Sequence, residues 1–543
     1  MRIGVRWGVI WLGLAVAFLL AQGDGRSQSP SPASTSAMRQ IAYLKASNAR
    51  AGDHFGCGGS LSGHTGNAVS LSRDGSTMAV GAPHESSGAR GVNGNQGDES
   101  AYNSGAVYIF VRQGAGWAQQ AYIKASNSGS SDRFGSVVAL SGDGNTLAVS
   151  APFESSAAKG VNGDQNDDSI PQSGAAYVFT RAGNTWTQQA YIKASNTGRT
   201  ADPSNAEDWG DGDQFGYGLD LSADGNTLAV GAITEDSRAA GINTLAFQDD
   251  DSATSSGAVY VFTRAGNTWT QQAYVKAANS NGGDLFGYNV GLSGDGNVLA
   301  VSGYDEDGSG RQVNAIPDNR RNGSGCLYVF ERTGTAWRQT AYLKGSYSEA
   351  VDALGYSLAI SDDGNTIAGG AADETCLTPG VNPPGCIGGA VANSSPGAAY
   401  VFGRAGNTWA EQAFFKSSNP SMLDWFGVRV TLSGDGNTLA VSATSEDSSA
   451  QGINGKQDDD SANESGAVYF FTRAGTTWTQ QAYVKGSNTE AYDEFGASVA
   501  LSYDGKLLAV GAPKEDSAAR SANGDQRDNS AQEAGAVYIF SVE

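Results

Sequence analysis

One stretch of this chain recurs seven times, and nothing else in it constrains the fold as tightly. In its cleanest form it reads "DRFGSVVALSGDGNTLAV", residues 132–149. Phe-Gly pairs stand at Phe55, Phe134, Phe215, Phe286, Phe426 and Phe495, and Leu354-Gly355 fills the remaining place. The copies lie 68 to 81 residues apart, shortest from Phe286 to Leu354 and longest from Phe134 to Phe215. A period of that length exceeds the common solenoid repeats and suits a unit of several strands. A length of 543 residues would ordinarily suggest several domains, but repeats that close on themselves override that prior.

Each unit predicts four strands. The first follows Phe-Gly, as in "SVVALS", and the second is "TLAVSAP". Between them an Asp-Gly turn recurs at Asp74, Asp143, Asp224, Asp295, Asp363, Asp435 and Asp504. Asp-Gly between apolar runs is a strong hairpin signal, because Gly accepts the positive φ the turn requires. A long polar loop follows. The third strand, "GAVYVF", is almost continuously apolar, as expected when both sheet faces are covered. A short "RAGNT" turn leads to the fourth, "WTQQAYIKAS", whose Gln residues and single Lys read as guards of an outer edge. Six fourth strands carry Trp: Trp117, Trp186, Trp269, Trp337, Trp409 and Trp478. The seventh unit stops at "GAVYIFSVE", before its fourth strand, while "MRQIAYLKAS", residues 38–47, matches that missing piece. The expectation is an all-β chain: a seven-bladed β-propeller over residues 38–543, four strands per blade, with the N-terminal strand closing the last blade. A linear solenoid would need distinct end caps instead.

Phe-Gly, then "VGAP", then "GAVYVF" resembles the FG-GAP repeat of integrin α-subunit propellers and of many bacterial exported proteins. The resemblance covers about residues 38–543, although full Val-Gly-Ala-Pro survives only at 80–83 and 510–513. It implies a propeller and, by analogy, an exported binding or adhesion role. Several integrin blades carry a calcium loop, Asp-x-Asp/Asn-x-Asp-Gly, between strands one and two. Here that connection has shrunk to "SGDGNT". Hard Ca²⁺ needs six to eight oxygens, and one carboxylate in a tight turn does not supply them, so the calcium role does not transfer to these turns.

Ahead of the repeats, Arg2 and Arg6 precede an apolar run at 7–21 that is short for a membrane span, and Ala21 and Gly23 suit a cleavage site. This reads as a signal peptide over 1–23 and a flexible linker over 24–37. The protein is then expected to be secreted, periplasmic or at the cell surface, with no membrane span in its mature form. In that setting Cys376 and Cys386, which share the loop "CLTPGVNPPGC", are expected to form a disulfide. Cys57 and Cys326 read as buried or free thiols. A net charge of −22 without a Lys/Arg stripe argues against nucleic acid as a partner. It suits a solvated exterior, cations or a basic partner.

Alternate connections of a blade share a face, so the long loops between strands two and three crowd one face, the usual place for binding. Two carboxylates recur there in every unit: Asp53, Asp132, Asp213, Asp284, Asp352, Asp424 and Asp493 before Phe-Gly, and Glu85, Glu154, Glu235, Glu306, Glu374, Glu446 and Glu515 past strand two. As function they would be a ring of cation sites or a mouth that attracts a basic ligand. As structure they would accept backbone N–H groups in their turns. Copying in all seven units favours structure. The loops "GVNGDQNDDS" (160–169) and "GINGKQDDDS" (452–461) offer Asp164, Asp167, Asp168, Asp458, Asp459 and Asp460 as candidate Ca²⁺ ligands. Their spacing is not that of an EF-hand, and a solvated loop is the preferred reading. Trp209, in the acidic insertion 199–213, reads as a contact anchor or a packing residue. His54, His64 and His84 share unit one with Cys57 but lack the tight spacing of a transition-metal site. The sequence carries no nucleophile elbow, P-loop or dinucleotide fingerprint.

The function these observations favour is an exported, non-enzymatic, monomeric binding or adhesion module. It would present the acidic loop face to a protein, glycan or surface ligand, with Ca²⁺ as a candidate aid. The alternative is a secreted propeller hydrolase or lyase with a carboxylate site at the central mouth.

Overall fold

Six repeats supply four apolar or alternating runs separated by turns and the seventh supplies three, and each set pairs into one antiparallel sheet. The computed structural model describes residues 38–60, 63–64, 66–198, 212–386 and 394–543. Blade two is representative: Val138–Leu140, Thr146–Ala151, Ala175–Ala182 and Thr185–Ile192 lie in that order from the axis outward. Seven such four-stranded sheets form a β-propeller. Blade seven is built from both ends of the chain, since Met38–Leu44 pairs with Ala536–Val542, Met38 opposite Val542 and Leu44 opposite Val537. The core lies between the sheets. Val107, Ile109 and Ile123 of blade one pack against Leu147, Val149, Tyr177 and Trp186 of blade two, all buried.

The repeated glycines mark where neighbouring blades touch backbone to backbone. The Phe134 ring meets Tyr177 and Phe179 edge-on, at 5.3 and 6.1 Å. Gly135 has φ +94°, and a Cβ there would strike the Ala106 carbonyl of the preceding blade. A Cβ on Gly81, in blade one's Val-Gly-Ala-Pro, would in turn strike the Gly135 carbonyl. Phe-Gly or Leu-Gly opens the first strand only in blades three to five (Phe215–Leu221, Phe286–Leu292, Leu354–Ile360). Elsewhere it sits just ahead of that strand, as in blade two, where regular pairing begins at Val138. In blade three a register shift between Phe215 and Leu219 lets Phe215 pair with Ala232.

The fourth strands overturn the edge-guard reading of their polar residues. The recurring Lys is buried, because it has a partner inside the blade (below). Gln120 faces the next blade, where its Oε1 accepts from Trp186 Nε1 at 3.0 Å and Arg181 Nη1 at 3.2 Å, with the Arg181 guanidinium over the Trp186 ring. The outer edge is covered by another device. Asn162, in the loop between strands two and three, donates its N–H to the Tyr191 carbonyl at 2.7 Å, and its Oδ1 accepts the Tyr191 N–H at 3.0 Å. Asn93, Asn243, Asn314, Asn382, Asn454 and Asn523 do the same in the other blades.

On the short-turn face the residues ahead of each Asp-Gly turn form a closed ring of main-chain hydrogen bonds around the axis. Arg73 donates to Gly142, Gly142 to Ala223, Ala223 to Gly294, Gly294 to Asp362, and Asp362 to Gly434, while Asp435 donates to Tyr503 and Tyr503 to Arg73, at 2.8–3.3 Å. Cys376 and Cys386 are joined in a disulfide with Cα atoms 5.7 Å apart, and Cys57 and Cys326 are buried free thiols. Among the described residues no helix is long and apolar enough to cross a membrane. The expected signal peptide, the linker and Trp209 lie outside the described residues.

Candidate functional site

The recurring Glu stands just past strand two, where the chain leaves the sheet beside the end of its own fourth strand. Each forms a buried ion pair with the recurring Lys of that strand. The pairs are Glu85–Lys124, Glu154–Lys193, Glu235–Lys276, Glu306–Lys344, Glu374–Lys416, Glu446–Lys485 and Glu515–Lys45, at 2.5–3.2 Å. In blade two Glu154 also accepts from Tyr191 Oη at 2.9 Å, Ser156 N at 3.2 Å and Asn127 Nδ2 of the preceding blade at 2.8 Å. Burial lowers the Lys193 pKa, and Glu154 works against that shift. Blade five departs from the pattern. Phe414 replaces the Tyr and Tyr347 the Asn, and the two rings pack at 4.7 Å.

The recurring Asp caps its own turn. Asp132 accepts the Gly129 N–H at 2.7 Å, and Asp53, Asp213, Asp284, Asp352, Asp424 and Asp493 accept the equivalent N–H at 2.6–3.0 Å. Burial, joined by the nearby Glu charge, pushes Asp132 up to about 7 despite that hydrogen bond. Both carboxylate sets are thus engaged within the scaffold.

The acidic loops spread their side chains instead of converging. Asp164 and Asp167 accept the N–H of Asn166 and Ser169 at 3.0 and 3.1 Å. Asp458 lies 3.7 Å from Lys456 and Asp459 accepts from Ser449 Oγ at 2.5 Å, while Asp168 and Asp460 are exposed. Among the described residues, one trio of His, Cys, Asp or Glu has ligand atoms within 4.8 Å of each other: Glu374, Cys376 and Cys386, whose two sulfurs are bonded together. The His54 and His84 rings meet at 4.8 Å, and burial, with the neighbouring His84, lowers His54 to about 3.

The sevenfold pattern breaks at the loop-side mouth of the axis. The residue before Phe-Gly is His54, Arg133, Gln214, Leu285, Ala353, Trp425 or Glu494, and every one has φ between 51° and 59°. That left-handed backbone favours Gly or Asn and costs other residues about 1 kcal/mol. The residue before the recurring Glu takes six identities in seven blades, and the two positions meet in blades one, two and seven. Arg133 lies over the Phe153 ring at 4.4 Å, and Lys514 pairs with Glu494 at 2.6 Å. The residue after Phe-Gly is Tyr217, Tyr288 and Tyr356 in blades three to five. Tyr288 contacts Tyr217 at 5.1 Å, Tyr356 at 5.9 Å and Tyr304 at 4.6 Å, making an aromatic arc on one side. Next to the arc, in blade six, stands Arg429, buried to 3% exposure, with Tyr356 and Tyr288 the side chains that act most on its charge. Beneath lies an axial cavity of about 220 Å³, walled by first strands of all seven blades and including Gly218, Asn289, Thr431 and Asp220. A second, of about 180 Å³, leads to the short-turn face. Asp220 borders both and accepts the Leu221 and Leu292 N–H groups, and burial pushes it up to about 7.

The family model described as FG-GAP repeat matches residues 117–179 and 478–540, each running from a fourth-strand Trp to the next blade's third strand. This chain carries FG-GAP repeats and folds as a β-propeller. No curated protein matches it. Among solved structures, the WD40 repeats of RRP9 are similar at 10% identity over 94% of this chain and 99% of that one, TM-score 0.45. The periplasmic gluconolactonase PpgL of Pseudomonas aeruginosa is 12% identical over 84% and 98%, TM-score 0.43. A putative 6-phosphogluconolactonase from Bacteroides uniformis ATCC 8492 is 10% identical over 77% and 85%, TM-score 0.41. None of these three likenesses carries the functional reading below.

Two features of the FG-GAP propeller escape a reading of the sequence by motif. The Lys partners recur in every repeat, Lys45 included, exactly as often as the Glu; two opposite charges repeated in step are the signal that pairs them. The mouth residues carry the inverse signal, varied positions flanking invariant ones.

Proposed function

We propose that this FG-GAP propeller is an exported, non-enzymatic binding module that engages a protein, glycan or surface ligand at the axial mouth of its loop-rich face. One observation carries the reading. At a single backbone position, left-handed in all seven blades and directly ahead of Phe-Gly or Leu-Gly, the chain carries seven different residues. A residue chosen for the scaffold alone would converge on Gly or Asn, as Asn does in the loops that cover the fourth strands. Sparsely allowed backbone held by varied side chains points to selection for contact.

The test is a glycan and protein array probed with the wild type, with Trp425→Ala and Arg133→Ala at the mouth, and with Lys506→Ala on the short-turn face. Binding that falls in the mouth variants and persists in Lys506→Ala supports the reading. Equal binding by all four proteins overturns it. Repeating the array in EDTA and in millimolar Ca²⁺ tests the cation as an aid.

The enzymatic alternative rests on Asp305 and Asp373, which stand before the recurring Glu in blades four and five and whose charges both act on Tyr304. Burial, with Asp307, pushes Asp305 up to about 6, and burial raises Asp373, which accepts from Ser395 Oγ at 2.9 Å. Turnover of a chromogenic glycoside or ester that Asp305→Asn abolishes would replace the binding reading with that one.

A further inference from the structure

The mouth holds a buried cation whose charge the neighbouring residues do not balance. Arg429 donates Nε to the Ala497 carbonyl and Nη1 to the Val428 carbonyl, each at 3.0 Å, and its Nη2 has no hydrogen-bond partner. Among the described residues no carboxylate pairs with it, and the groups acting most strongly on its charge are Tyr356, Tyr288, Cys57 and Tyr217. A guanidinium taken out of water without a counterion is costly. The scaffold does not require it. Ser357 and Ser498, at the equivalent position of blades five and seven, bridge to the next blade with a single hydroxyl, at 2.8 and 2.7 Å, and Asn289 does so in blade four with its amide. Arg429 performs that bridge with Nε and carries a further donor beyond it. Its strand continues into the cavity wall as Thr431 and Leu432, and the residues after Tyr217 and Tyr288 border the same cavity.

We propose that Arg429 and the arc of Tyr217, Tyr288 and Tyr356 form a carboxylate-binding site at the loop-side end of the axial channel. Arg presents paired N–H donors that match a carboxylate, and such bonds are stronger than neutral ones. Phenols add neutral donors and flat apolar faces. In a chain of net charge −22, the surface field opposes anions, so this local cation is what selects one. The proposal deepens the reading of the mouth as a binding site by naming the group it accepts: a carboxylate, free or carried on a sugar.

The full chain is titrated by calorimetry and thermal shift with sodium acetate, sodium glucuronate, glucose and, at matched ionic strength, sodium chloride. The expected result is that the two carboxylates raise the melting temperature and the other two do not. Glucuronate exceeding acetate identifies a sugar-borne carboxylate as the source, and equal responses a free one. Arg429→Ser keeps the interblade bridge and is expected to bind at least tenfold more weakly. Tyr288→Phe keeps every charge and is expected to weaken binding several-fold, which holds the test open should Arg429→Ser fail to fold. Identical titrations of wild type and variants, or no carboxylate-specific shift in the wild type, overturn the site. Array binding that depends on Trp425 while no carboxylate binds sinks this proposal and leaves the binding module standing.

Discussion

Replacing Glu154 by Gln isolates the worth of one buried ion pair. The substitution keeps shape and leaves an oxygen for Tyr191 and Asn127, but it puts an amide NH₂ in place of the Oε2 that accepts from Ser156 N and removes the charge facing Lys193. That ammonium has 0% side-chain exposure, and Ser173 Oγ at 2.7 Å would be its remaining hydrogen-bond acceptor. Stripping one partner from a buried pair costs about 3–5 kcal/mol, mostly because the other charge stays buried and unpaired. Lys193→Met should cost a similar amount by orphaning Glu154. The double variant removes both charges together, so it should be less damaging than the two single costs added, with a coupling of about 2–3 kcal/mol. Urea unfolding of the four proteins, followed by tryptophan fluorescence, measures this cycle. A cost below about 1 kcal/mol for Glu154→Gln, or strict additivity, would show that the pair behaves like a solvated surface bridge, and the assignment of these Glu residues to the scaffold would fall.

Further expectations concern the capping Asp residues, the disulfide and the glycines. Asp53, Asp132, Asp284, Asp352 and Asp424 are pushed up to about 7, and Asp493 to about 8, first by burial. Their folded pKa lies above the unfolded one, so the native state holds more protons, and the stability this gives is full below about pH 4 and lost as pH rises through 7–8. Calorimetry should therefore show the melting temperature rising from pH 8 to pH 5; a flat or falling profile would mean these groups are ionised in the native protein. Reducing Cys376–Cys386, which closes a separation of 10 residues, should cost about 2–3 kcal/mol, read as a lower urea midpoint in dithiothreitol. Gly81→Ala should destabilise by about 2–3 kcal/mol through its clash with the Gly135 carbonyl. Gly160→Ala, whose Cβ would meet open space, should cost only the strain of its positive φ, and comparing their midpoints checks the difference.

The repeat made the fold legible, because strands, tight turns and missing pieces can be aligned copy against copy. Met38–Leu44 could be matched to the absent strand by "AYLKAS" alone, since pairing across a sheet depends on local pattern and not on distance along the chain. The polar roles were harder. Lys193 looks like a surface residue because its partner Glu154 lies 39 residues away, and no short-range pattern reports that two strand ends meet. Asn162 in "GVNG" looks like loop, yet it supplies both hydrogen bonds that cover Tyr191. The mouth was illegible for a different reason. Arg429 and Tyr288 belong to no motif, and they come together only because the ring brings first strands of different blades to one axis.

The strand that completes blade seven has a consequence for the order of events in folding. Six of the buried ion pairs join groups 38 to 42 residues apart, so each blade can neutralise its own Glu soon after its fourth strand is made. The seventh, Lys45 to Glu515, spans 470 residues. Closing a loop twelve times longer adds only about 2 kcal/mol of entropy, but it must wait for the whole ring to exist. Until then Glu515 has no counterion and the last sheet offers a bare edge to any passing strand. A waiting N-terminal segment and a waiting C-terminal edge make the near-complete ring, and not the unfolded chain, the stage most exposed to pairing with a second copy of itself.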